Sequence, residues 1–147
     1  MEYIKKIVHA PSEDRNSCAL NATSIALDVP YYDVYKVYKA FGRVHGRGSS
    51  WLMMACSINW LMNAEKDYQI ENEEDIIKVK GKWKMPKGNW KMPTHVNITL
   101  KKFAELFPKG RYIVVKSQHA LALIDGVWYD NHEPNPKARV KHFYKVG

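Results

Sequence analysis

The stretch from Arg111 to Asp130 leaves this chain the fewest options. Arg111-Tyr112-Ile113-Val114-Val115-Lys116 is aromatic and β-branched, the composition of a half-buried strand. Ser117-Gln118-His119 leads from it into Ala120-Leu121-Ala122-Leu123-Ile124. Asp125-Gly126 follows, a pair suited to the tight hairpin turn whose central residues need positive φ, and the chain returns as Val127-Trp128-Tyr129-Asp130. Such a turn pairs Ile124 with Val127, Leu123 with Trp128, Leu121 with Asp130 and His119 with His132. Alternate residues on a strand share a face, and so do residues directly opposite. His119, Leu121, Leu123, Trp128, Asp130 and His132 are therefore predicted on one face, with Asp130 diagonal to His119 and within reach of its imidazole. Asn131 falls on the other face with Ala120 and Ala122, and a one-residue bulge would bring it to His119 in place of Asp130.

A histidine near a carboxylate is common in a chain with six histidines; it gains meaning from a segment far upstream. Asn16-Ser17-Cys18-Ala19-Leu20-Asn21-Ala22 reads as the start of a small-residue helix running from about Cys18 to Leu27, with Ser17 or Asn16 as its N-cap. In the first turn of a helix the unpaired N–H groups and the dipole favour a thiolate over a thiol. Ala19, Ala22, Ile25 and Ala26 form an apolar stripe with little bulk, against which strands can pack closely. A buried structural cysteine is the plainer reading of such a residue taken alone. Cys56 lies in the middle of another predicted helix, Trp51 to Asn63, which is apolar nearly all round and so expected to be buried. It has no helix-end activation and is read as a core thiol.

The remaining chain completes one domain, residues 1–147, the size expected for this length. Hydrophobic content of 46% is above what a disordered chain shows. Residues 3–8 read as a short strand, followed by a turn at His9-Ala10-Pro11-Ser12. A helix from roughly Tyr32 to Ala40 places Val34, Val37, Tyr38 and Phe41 on one face, and Gly42 ends it. Gly42-Arg43-Val44-His45-Gly46-Arg47-Gly48 is a glycine-rich loop, and Ser49 or Ser50 caps the helix after it. Arg43 and Arg47 are candidate anion or partner contacts, with a solvated connector as the blander alternative. Ile76-Ile77-Lys78-Val79 suggests a strand. Trp83-Lys84-Met85-Pro86 recurs as Trp90-Lys91-Met92-Pro93, either a binding loop carrying Trp83 and Trp90 or a clamp over the core. Thr99 caps a helix from Leu100 to Phe107, and Arg139 to Val146 offers a last edge strand.

Charge and cysteine usage limit the partners. A net charge of +8 implies weak, nonspecific attraction to nucleic acid, but no zinc-finger spacing or RNP-type aromatic motif is present. No run reaches the roughly eighteen apolar residues of a membrane span, and Met-Glu-Tyr-Ile-Lys-Lys lacks signal-peptide character. Two cysteines in separate helices give no disulfide framework. A cytoplasmic protein without membrane contact is expected. No cofactor is expected, and a metal site built from Cys18, His119 and His132 lacks any close-spaced ligand pair.

With Cys18 set against the face of His119, Leu121, Leu123 and Asp130, a cysteine at a helix start, a histidine entering a strand and a carboxylate on the next strand are the parts of a thiol-nucleophile site. In this order, Cys18, His119 and Asp130, the chain resembles the papain-like cysteine peptidase fold, above all its small bacterial branch of bacteriocin-processing peptidases and their phage-encoded relatives. The likeness rests on Cys18 to Ala22, the Gly42 to Gly48 loop, Pro108 to Tyr112, and His119-Ala120 with Asp125-Gly126. It implies an α+β papain-like domain in which a cysteine helix and helical half pack on a small antiparallel sheet. It further implies cleavage of an amide bond in a protein or peptide substrate, a host protein included, in the host cytoplasm if the chain is phage-encoded. Papain carries a glutamine before its cysteine that helps form the oxyanion hole, whereas positions 12 to 17 here read Ser-Glu-Asp-Arg-Asn-Ser. The substitute donors expected are the Asn16 side chain and the Cys18 backbone N–H. The alternative is a catalytically silent, basic phage-type protein that binds and inhibits a host protein or nucleic acid through Trp83, Trp90 and the Arg43 to Arg47 loop.

Overall fold

A computed structural model of the chain describes residues 1–7, 16–63 and 91–147. The predicted turn at His9–Ser12, the strand at 76–79 and both Trp83 and Trp90 of the repeat lie outside the described residues. The architecture is α+β. Helices α1 (Cys18–Leu27), α2 (Tyr31–Ala40) and α3 (Trp51–Asn63) precede most of the sheet, and a short α4 (Leu100–Leu106) sits between strands. The strands are β1 (Glu2–Lys5), β2 (Thr94–Thr99), β3 (Arg111–Lys116), β4 (His119–Ile124), β5 (Val127–Asp130) and β6 (Arg139–Lys145). They form one sheet in the order β1-β5-β4-β3-β6-β2. Every pairing is antiparallel except that of β1 with β5.

The hairpin register is the one dictated by Asp125-Gly126. Ile124 faces Val127, Leu123 faces Trp128 and Ala122 faces Tyr129, with Asp125 and Gly126 both at positive φ as such a turn requires. The alternation of β3 and β4 then gives the sheet two buried faces. Ile113, Ala120, Ala122 and Tyr144 meet Ala19, Ala22, Ile25 and Ala26 of α1, with α2 and α3 completing that core. Tyr112, Val114, Leu121, Leu123 and Trp128 meet Leu100 and Phe103 of α4 on the opposite face. Alanine against alanine lets α1 lie close to β4 and so fixes where its first residue ends up.

This corrects one placement. The sequence pattern sets Cys18 against the face of Leu121 and Leu123, whereas α1 packs on the face of Ala120 and Ala122. Two further expectations change. The strand at 139–145 is interior, because Thr94–Thr99 pairs on its outer side; the alternation of Val96 and Ile98 is the sequence signal for that added strand. Helix α3 is buried from Met54 to Leu61 apart from Cys56, which is half-buried rather than core, and Trp51 and Leu52 in its first turn are more than half exposed.

Polar groups lock the ends of these elements. Arg111 donates through Nε to the Ala26 carbonyl at 2.7 Å and through a second guanidinium nitrogen to Ile25, closing the C-terminus of α1 onto β3. Asn59, buried in α3, accepts from the Lys91 N–H at 2.6 Å and donates to the Lys91 carbonyl at 2.8 Å. Thr99 caps α4 by accepting from Lys102 N–H, and Ser50 accepts from Met53 N–H at the start of α3.

Candidate active site

Cys18 is the first residue of α1. Ser17 occupies the N-cap position, but its side chain makes no capping bond, and the Asn16 amide points elsewhere, donating to the Gly46 carbonyl at 2.9 Å. The expected side-chain cap is thus missing, which leaves first-turn N–H groups available to an anion. The backbone N–H groups of Ala19 in that turn and of Ala120 on β4 both act to lower the thiol.

His119 is the first residue of β4. It follows Gln118, whose φ of 55° turns the chain sharply at the end of the sheet. There its imidazole meets two partners from different elements. Nε2 lies 2.7 Å from Asp130 Oδ2 at the end of β5, and the ring hydrogen-bonds the Cys18 thiol at the head of α1. With Nε2 taken by the carboxylate, Nδ1 is the nitrogen left for sulfur.

Electrostatics follow from this chain of contacts. Burial opposes charge on Cys18, but the His119 hydrogen bond, the Ala120 N–H, the charge of His119 and the Ala19 N–H outweigh it, so the thiol lies below its ordinary range. The Asp130 hydrogen bond, then that of Cys18, raise His119 to about 9 against the opposing effect of burial. Both shifts favour thiolate beside imidazolium. Burial instead pushes the Cys56 thiol up. The two cysteines therefore have opposite electrostatics.

Asp130 is itself well anchored. Its side chain is buried, and Oδ1 accepts from the Asn131 N–H at 2.7 Å. Its carbonyl accepts from Lys6 N–H at 2.8 Å, tying β1 to the site. Asn131 turns away, its side-chain oxygen hydrogen-bonding His132. Of the two alternatives, Asp130 is the one that touches His119.

Of the residues expected to form a contact surface, Arg43 departs from that role. Arg43 is buried and donates to the Asn16 carbonyl at 3.2 Å. With the Asn16–Gly46 bond, the Gly42–Gly48 loop brackets the backbone just before Cys18 from both sides. Arg47 is exposed. Trp83 and Trp90 lie outside the described residues.

A cleft of about 650 Å³ opens over Cys18 and His119. Asn16, Gly48, Ser49, Ser50, Trp51 and Met54 form one wall, and Lys116, Gln118, Lys141 and His142 form the other. Lys116, Gln118, Lys141 and His142 belong to no expectation drawn from the sequence; a lysine in a strand reads as an ordinary solvated residue. His119, Asp130 and His132 could together offer ligand atoms to a metal ion, all within 4.8 Å of one another. No helix among the described residues is long and apolar enough to cross a membrane. In comparison with known proteins, the chain matches no family model, and no curated protein or solved structure is significantly similar to it.

Proposed function

We propose that the chain is a papain-like cysteine hydrolase that cleaves an amide bond in a protein or peptide through a Cys18 acyl-enzyme. The observation that carries this reading is the hydrogen-bonded relay from Cys18 through His119 to Asp130, drawn from three separate elements. The thiolate attacks the carbonyl carbon, forming the C–S bond and moving the π electrons onto oxygen. The Cys18 backbone N–H and the remaining amide hydrogen of Asn16 are the donors available to that oxygen. Collapse expels the amine, which takes the proton of His119; neutral His119 then accepts a proton from water as it attacks the thioester, and the thiolate leaves. Asp130 holds the imidazole in the tautomer and orientation both steps need.

The Asn16–Gly46 bond favours the alternative, a silent shell that binds a partner, because it commits part of the one side-chain donor near the thiol. Alkylation decides between them. Iodoacetamide at neutral pH should label Cys18 at least about tenfold faster than Cys56, because the first thiol is lowered and the second is raised, and His119→Ala should slow Cys18 alone. Equal, slow labelling of both cysteines removes the hydrolase and leaves the binding protein.

A further inference from the structure

From the charge around the cleft we infer that the substrate is an acidic peptide, its carboxylates held beside the scissile bond by Lys116 and Lys141; this rests on reading Cys18 as the nucleophile.

Lys116 pairs directly with His119 across β3 and β4, so its side chain starts about 5 Å from that of the base. Lys141 is there for a different reason. In the pairing of β3 with β6, Val115 faces His142 while the next residue, Lys116, faces Val140. Lys141 is therefore the extra residue of a β-bulge. Bulges redirect a side chain at the cost of one ladder position, and here the redirected side chain lines the cleft. His142 beside it also lines the cleft, and its Nε2 is buried without a hydrogen-bond partner among the described residues.

No carboxylate lines the cleft among the described residues. Asp130 sits behind His119, engaged by the imidazole and the Asn131 N–H. The two lysines also line a second depression with Arg139, so positive charge continues outward from the cleft. A cleft lined by one sign of charge concentrates ligands of the other. Nucleic acid shares that sign, but a thiolate resolves acyl carbonyls, and a phosphodiester offers none. The acidic partner is therefore a peptide.

The test compares iodoacetate with iodoacetamide on the whole protein, following Cys18 and Cys56 peptides by mass spectrometry at low salt. The ratio of the two rates cancels any change in thiolate population and isolates attraction of the anion. K116Q and K141Q should each lower the Cys18 ratio by about threefold, the double variant should lower it further, and half-molar salt should erase the difference, as expected for exposed charges. The Cys56 ratio should not move. A Cys18 ratio that is the same in wild type and the double variant overturns the inference. Slow labelling of Cys18 by both reagents would instead overturn the nucleophile reading, so the two failures are distinct. In a second arm, hexaglutamate should slow iodoacetamide labelling of Cys18 while hexalysine does not. Stronger protection by a thymidine hexanucleotide than by hexaglutamate overturns the peptide assignment.

Discussion

Asp130 Oδ2 and His119 Nε2 lie 2.7 Å apart, and the Asp130 side chain is 3% exposed. A buried carboxylate in that position is tolerable only while its hydrogen bonds last. Asp130→Asn keeps the shape and removes the charge. His119 should then titrate nearer its ordinary 6.5 than about 9, read by NMR of the ring protons. Stability should fall by about 1.5–3 kcal/mol, the range for a hydrogen bond to a charged group. Cys18 alkylation at pH 7 should slow, because fewer molecules hold thiolate beside imidazolium. An unchanged His119 titration would mean that the contact has no electrostatic consequence.

The two shifts predict different pH limits for labelling and for turnover. Cys18 is lowered, so alkylation should rise through a pH below the ordinary 9.0 of a thiol and then stay level. His119 is raised to about 9, so its proton, needed by the leaving amine, is lost above that pH and turnover should fall while labelling does not. The two stability contributions run in opposite directions. That of His119 is complete below its unfolded value of 6.5 and is lost as pH rises through about 9. That of Cys18 is complete above the unfolded 9.0 and is lost as pH falls through its lowered value. Thermal unfolding of wild type and Cys18→Ala across this range checks both signs.

Arg43 and Arg47 belong to one loop and should behave as opposites. Arg47→Ala changes an exposed side chain and should alter stability by no more than about 0.5 kcal/mol. Arg43→Ala removes a buried guanidinium that holds the Asn16 carbonyl, and should cost about 1–3 kcal/mol. It should also slow Cys18 labelling, since the backbone ahead of the thiol loses a tether. Denaturant midpoints and alkylation rates of the two variants make the comparison.

Ala122 is fully buried between α1 and the sheet. Ala122→Leu overfills that contact and should cost about 1–3 kcal/mol in denaturant unfolding. If α1 is displaced from β4, Cys18 labelling slows as well. Tolerance of leucine with no loss of stability would contradict the close helix–strand approach.

Much of the site could be read before any fold was known, and for a physical reason. An Asp-Gly turn fixes register, register fixes which side chains are neighbours, and so Asp130 near His119 follows from twenty consecutive residues. The side of the sheet that receives α1 does not follow, because either face is apolar; the small side chains of Ala120 and Ala122 decided it. Arg43 looked like a solvated loop cation, since its acceptor is a backbone carbonyl that no sequence pattern announces. The bulge at Lys141 was equally invisible, being a property of how β6 meets β3 rather than of either strand.

The pairing of Cys18 with a histidine from the late hairpin also has a meaning for biosynthesis. While the amino-terminal half is emerging from the ribosome, neither imidazole nor Ala120 amide exists to stabilise the thiolate. The sulfur therefore lacks those contributions until translation has passed Asp130 and the sheet has closed on the first helix. What His119 and Ala120 add to the lowered thiol arrives last, and an arrested nascent chain would lack it.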